Sequence, residues 1–227
     1  MAPLLTRLGQ AFGFGASTSS GDSGGITSAS GGVVSEYEVS GTTYRAHVFR
    51  NTGTFTVTAG SGNIEYLVVG GGGGAGGCGP ANAGTGGAGA GGIRTNYPGV
   101  ETAGETAISV ATAYPVTATS YTVTVGAGGG GGRAANDDPD SGIAGGIGGY
   151  SELDTGGPNP IRAEGGGGSG NSNSNSNVNT SGASGGGAPN STGGVTAGEG
   201  NKVAGPPTSP GAAATGQQGH DGGACPT

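Results

Sequence analysis

Two histidines, two cysteines and 14 acidic residues are most of what this 227-residue sequence offers for chemistry, and their spacing decides what they can do. Asp137, Asp138 and Asp140, followed by Gly142, look like the first half of a calcium loop. Such a loop closes on a carboxylate at the start of a helix. Glu152 stands too far on and in a glycine-rich context, so the stretch reads as a solvated loop and no metal is expected. His47 falls mid-strand beside Arg45, where a solvated strand face is the expectation. His220-Asp221 lies in the C-terminal tail, and no metal is expected there either. No Gly-x-Ser-x-Gly stands on a strand–turn–helix pattern that would support a nucleophile. The glycine runs match Gly-x-Gly-x-x-Gly by chance, and none is followed by the Gly-Lys-Ser/Thr that a phosphate cradle needs. Cys78 and Cys225 are two free thiols if assembly takes place in a reducing cytoplasm, and a disulfide between them stays open. The chain is read as non-enzymatic and without a cofactor.

What remains is recognition. Three polar stretches carry amide, carboxylate and aromatic groups of the kind that serve adaptable binding: Arg94–Thr102, Ala134–Ser141 and Asn171–Ser181. The residues expected to contact a receptor, either a glycan or a surface protein, are Tyr97, Asp137, Asp138, Asn173 and Asn175. A second candidate is apolar. Leu4, Leu5, Leu8 and Phe12 fit a helical turn pattern within residues 1–16 and read as an anchor onto a larger assembly.

These groups must be held by a chain in which 60 residues are glycine and only 9% are charged. Leu, Ile, Val and Phe are too few for a conventional core along the whole length. The low charge removes half of the usual signature of disorder. Runs such as Gly70–Gly74 and Gly128–Gly132 break the collagen period. The remaining option is a bundle of extended, three-residue-per-turn polyglycine helices, bonded to one another through their backbones because no Cβ keeps them apart. Replacing Gly72 or Gly130 by a larger residue should then clash. A net charge of −7 leaves no basic footprint for nucleic acid, and no apolar run is long enough to span a bilayer. The N-terminus is a poor secretory signal.

Four parts follow along the chain: an anchor at 1–16, a Ser/Gly linker at 17–32, a β-domain at 33–69, and a glycine-rich body with excursion loops at 70–227. VVSEYEV, TYRAHVFR, TFTVT and NIEYLVV each read as strands, separated by Ser40-Gly41, Asn51-Thr52-Gly53 and Gly60-Ser61-Gly62. A further β-segment ends in VTATSYTVTV before Gly126. The expected fold is all-β plus polyglycine II-type helices: a small antiparallel β-domain that nucleates and leads into a packed glycine body.

Val48-Phe49, Gly53-Thr54-Phe55-Thr56-Val57 and Tyr66-Leu67-Val68-Val69 with its five glycines, then Ser120–Gly132, resemble the paired motifs of a glycine-rich domain found in phage tail fibre, adhesin and other virion proteins. The resemblance runs from about residue 40 to about 170. It departs at the C-terminus, where relatives often end on an apolar strand and this chain ends GQQGHDGGACPT. It implies a virion protein, assembled in the host cytoplasm and present in many copies or as a homo-oligomer. Its N-terminus would contact other virion proteins, and its loops would contact a host cell-surface glycan or protein. A tail fibre or adhesin-type component is the first expectation. A capsid decoration, head-fibre or tail accessory protein is the alternative, and a bacterial surface or matrix protein the third.

Overall fold

The computed structural model describes residues 2–7, 25–77, 85–96, 114–133, 143–170, 181–187 and 197. Among the described residues, eleven strands form two antiparallel sheets. β1 (Ala2–Arg7), β3 (Val33–Val39), β4 (Thr42–Phe49), β6 (Gly62–Val69) and β7 (Ile93–Thr95) make the first, in the order β3-β4-β1-β6-β7, and β8 (Tyr114–Val116) pairs with β6 beside β7. The second has the order β11-β10-β9-β5-β2, from β2 (Ser28–Ser30), β5 (Gly53–Ala59), β9 (Ser120–Thr124), β10 (Ser151–Leu153) and β11 (Ile161–Ala163).

The period-2 alternation seen in the sequence is the reason for this pairing. Phe55 and Val57 on β5, Ile64, Tyr66 and Val68 on β6, and Tyr121 and Val123 on β9 turn to one shared core with Phe49, Tyr114, Val116 and Leu153. Ser40 and Gly41 both have positive φ (50° and 76°), the turn that joins β3 to β4 in two residues. β7 and β8 leave a gap on the edge of β6, which the Asn96 side chain fills. Its Oδ1 accepts from the Tyr66 N–H and its Nδ2 donates to Ile64 O, both at 2.8 Å, as a peptide group would.

Several expectations change here. Residues 2–7 form a strand between β4 and β6, so Leu4 and Leu5 do not lie on a helical turn; sheet pairing along both edges outweighs a weak local period. Residues 25–32, expected in the linker, include β2 and the buried Ile26. The β-layer is not confined to 33–69, because strands up to Ala163 share the same core. His47 is not solvated. It is 0% exposed, its Nδ1–H donates to Gly31 O at 2.8 Å, and its ring meets Phe55 edge-on at 5.1 Å.

The described part of the glycine-rich remainder is built from six extended segments: 70–77, 85–92, 125–133, 143–150, 164–170 and 181–187, numbered 1 to 6. A β-ladder repeats every two residues. Here the bonds repeat every three. From segment 1, Gly71, Gly74 and Gly77 donate to Gly149, Gly146 and Ile143 of segment 4, while Gly70 and Gly73 donate to Gly92 and Gly89 of segment 2, all at 2.9 Å. Segment 1 also accepts from Gly129 and Gly132 of segment 3 and from Gly166 and Ser169 of segment 5. The described neighbours fit two staggered rows of three, 3–1–2 over 4–5–6, with segment 1 seated between 4 and 5 and segment 2 between 5 and 6.

Strand pairing sets the register of these rows. Leu67 pairs with Thr95 and Val69 with Ile93, and one step further Gly70 donates to Gly92. Leu153 pairs with Val123 and Glu152 with Thr124, and the same step-for-step register continues to Gly149 on Ala127, Gly146 on Gly130 and Ile143 on Arg133.

Candidate functional site

The close approach of the rows dictates where side chains can stand. A Cβ on Gly70, Gly71, Gly73 or Gly74 would lie well inside 3.0 Å of a carbonyl oxygen on segments 5, 3, 5 and 3 respectively. Gly72 differs: its nearest obstacle is 3.9 Å away, and the residue three further on is a natural alanine, Ala75. The expectation that Gly72 and Gly130 are packed is therefore corrected. Gly130 has nothing within 4 Å, and both glycines are exposed, because one residue in three on segment 1 and two in three on segment 3, at the end of its row, face away from the rows.

Segment 4 uses that third position for side chains. In Ala144-Gly145-Gly146-Ile147-Gly148-Gly149-Tyr150, Gly145 and Gly148 press on the Gly74 and Gly71 carbonyls, while Ile147 (53% exposed) and Tyr150 project outward. Exposed Ile143 adds to the same segment. The Arg162 guanidinium lies over the Tyr150 ring, 3.5 Å from its centroid. Arg162 Nε is 3.1 Å from Glu164 Oε1, an ion pair without hydrogen-bond alignment. This apolar, aromatic and charged side is the most differentiated described surface of the body. The spacing Gly-Gly-Ile-Gly-Gly-Tyr was the signal for it in the sequence.

The rows also fix where the excursions attach. Segments 1, 3 and 5 run parallel, each leaving the sheets at the C-terminal end of a strand, so Gly77, Arg133 and Gly170 lie together at the end of the body farthest from the sheets. Thr85 and Ile143 return from that same end. Stretches 78–84 and 134–142 are thus attached there at both ends. Stretch 171–180 leaves there but rejoins at Ser181 on the sheet side, because segment 6 runs parallel to segment 5 and antiparallel to segment 2, with Ser184 donating to Ala90 and Gly187 to Gly87.

Among the expected receptor residues, Asp137, Asp138, Asn173 and Asn175 lie outside the described residues; the stretch of Asp137 and Asp138 is rooted at this far end on both sides, and the stretch of Asn173 and Asn175 starts there. Tyr97 also lies outside them, and its stretch is rooted at the opposite end, beside β7. Leu8, Phe12, Cys78, Asp140, Gly142, His220 and Cys225 lie outside the described residues too. Arg94 and Thr95, expected in a loop, are buried on β7, where Thr95 Oγ1 donates to Tyr66 O at 2.8 Å.

Among the buried polar groups of the sheets, the Tyr66 hydroxyl and Arg94 Nε have no hydrogen-bond partner. Tyr114 donates to Asp154 Oδ2 at 3.0 Å, and burial, reinforced by that carboxylate, pushes its pKa far up. Burial raises the Tyr66 hydroxyl to about 12 against the opposing charge of Arg94. Arg94 itself is lowered, chiefly by its own burial. Neither phenol ionises near neutral pH, and neither faces a described opening.

No characterised protein and no solved structure matches the chain. The profile of a family described as a glycine-rich domain matches residues 49–226, more than three quarters of the length, and extends well past the stretch whose motifs suggested such a domain. By that match the chain belongs to the glycine-rich domain family.

Proposed function

We propose that this chain is a non-enzymatic phage virion component of the tail fibre or adhesin type, which holds variable polar loops on a body of polyglycine II-type helices. The observation that carries the reading is the common attachment of 78–84, 134–142 and the start of 171–180 at the end of the body farthest from the sheets. A body held by backbone bonds between glycines leaves those stretches free to change in sequence without loss of packing. Their Asp137, Asp138, Asn173 and Asn175 offer acceptors and amide donors suited to a host-surface glycan or protein. Multiple copies on a particle would strengthen a modest single contact. The three-residue repeat of the hydrogen bonds supports the helix assignment. Amide exchange tests it: Gly71 and Gly74 N–H should be protected and the exposed Gly72 N–H should not.

Adsorption tests the function. Replacing Asp137, Asp138, Asn173 and Asn175 together with alanine should abolish binding of purified protein or particles to host cells, and Tyr97→Ala should change it little. Unchanged adsorption by a folded quadruple variant favours the second reading: a capsid decoration, head-fibre or tail accessory protein. One observation speaks for that alternative, the exposed Ile147 and Tyr150 three residues apart along one face of segment 4, which a lateral neighbour could bury.

A further inference from the structure

We propose that β1 is an exchangeable strand, and that the slot between β4 and β6 accepts Ala2–Arg7 from a second copy of this chain. The slot is formed by backbone on both sides. β1 pairs with β4 from Ala2↔Phe49 to Arg7↔Tyr44 and with β6 from Leu4↔Tyr66 to Thr6↔Ile64. Without β1, two strand edges face each other in the middle of a sheet, the arrangement that an added strand completes. Pro3, which has no N–H to give, sits where pairing is with β4 alone, so its ring interrupts no ladder on the β6 side.

No tight turn ties β1 to either neighbour. The next described element is reached through residues 8–24, LGQAFGFGASTSSGDSG, rich in glycine and serine. The two ends of that connector are close together. Thr6 is opposite Ile64 near the start of β6, and Ile26 packs against the position of Gly62. A hairpin closes such a gap with about two to five residues. A connection of this length can span at most about 55–60 Å.

A connection of that length is long enough for β1 to enter a neighbour's slot with every backbone pairing unchanged. The contacts are identical in both forms, so local concentration decides between them: the tether favours its own slot in dilute solution, and crowded copies favour exchange. The partner recognised is a second copy of this chain, whether or not the assembly is a virion.

Leu5 stands opposite Glu65 across the β1–β6 pair. In a Cys78→Ser, Cys225→Ser background, a Leu5→Cys chain and a Glu65→Cys chain are refolded together at high concentration and oxidised. The expected product is a disulfide-linked dimer containing one of each, identified by mass, and absent when either chain is oxidised alone. The Leu5→Cys, Glu65→Cys double variant, oxidised when dilute, should close internally and stay monomeric. Internal closure with no mixed dimer at any concentration would overturn the proposal. Failure of both cross-links would overturn it as well, since β1 would then not occupy the slot.

Discussion

The two-sheet layer and the glycine rows are held by opposite means. In the sheets, Phe55, Val57, Tyr66 and Val123 bring apolar surface together, and the backbone ladders follow from that burial. In the rows, the absence of side chains is the stabilising feature. Segments approach until carbonyl oxygens occupy the space where Cβ atoms would be, and the inward-facing backbone groups bond to different neighbours in turn. The two regions nevertheless share one register, passed from β6–β7 and β9–β10 into the segments that continue them. A glycine chain has a high ordering cost, and a short side-chain core offsets it by presetting which glycines meet.

The largest test of this division removes a side chain from the first region. Phe55 is fully buried at the centre of the core. Phe55→Ala should cost about 3–5 kcal/mol, and because the sheets set the register of the rows, both regions should lose protection from amide exchange together. Loss of protection in the sheets alone would show that the glycine rows stand without them.

The converse change adds one carbon to the second region. A Cβ on Gly145 would collide with the Gly74 carbonyl, a backbone group that cannot rotate away. Gly145→Ala should cost about 1–3 kcal/mol or more, as overpacking does, read as a lower denaturation midpoint. A midpoint equal to that of the wild type would mean that the rows are not close-packed at this contact.

A smaller effect is confined to the sheets. His47 carries its proton on Nδ1, bonded to Gly31 O, and its bare Nε2 is buried without a partner. Burial lowers its pKa, Arg45 adds to that, and the Gly31 bond opposes it. The unfolded chain therefore takes up a proton more readily than the folded one. Stability should fall as pH drops below about 6.5, the unfolded value, and this contribution levels off once the folded ring titrates. His47→Phe should remove that part of the slope between pH 7.5 and 5.5. An identical slope in both proteins would show that His47 contributes no pH dependence.

The sequence made the two regions legible to different degrees. Alternation at Phe55-Val57 and Tyr121-Val123 marked strands, and the five glycines after Val69 marked the change of structure. What local pattern could not give was partnership. Leu4 and Leu5 have helical spacing, yet two strand edges from elsewhere in the chain claim them. His47 shares a strand face with Arg45 and looks solvated, yet that same face carries Phe49 into the core two residues on. The glycine runs look uniform, although only their three-residue phase separates Gly74, against a carbonyl, from Gly72, against solvent. That phase depends on which neighbours surround a segment, and composition does not carry it. The polar stretches holding Asp137 and Asn173 were visible as interruptions, but their shared attachment depended on segments 1, 3 and 5 running parallel.

The smallest effect is the most discriminating one for the second region. Gly72 and Gly130 are exposed, have room for a Cβ, and neither has a positive φ. Nothing inside the chain requires glycine there. Replacing such a glycine by alanine removes freedom from the unfolded chain and should stabilise by about 0.4–1 kcal/mol per site. Gly72→Ala and Gly130→Ala should therefore leave the denaturation midpoint unchanged or raise it slightly, while Gly71→Ala and Gly74→Ala, one and two positions from Gly72, should lower it sharply. The sign should change with the three-residue phase along segment 1. Equal destabilisation at 71, 72 and 74 would mean that glycine is needed there for chain flexibility alone, and uniform tolerance would mean that the rows are loosely packed. Only alternation with that phase fits a body whose stability depends on where a side chain is missing.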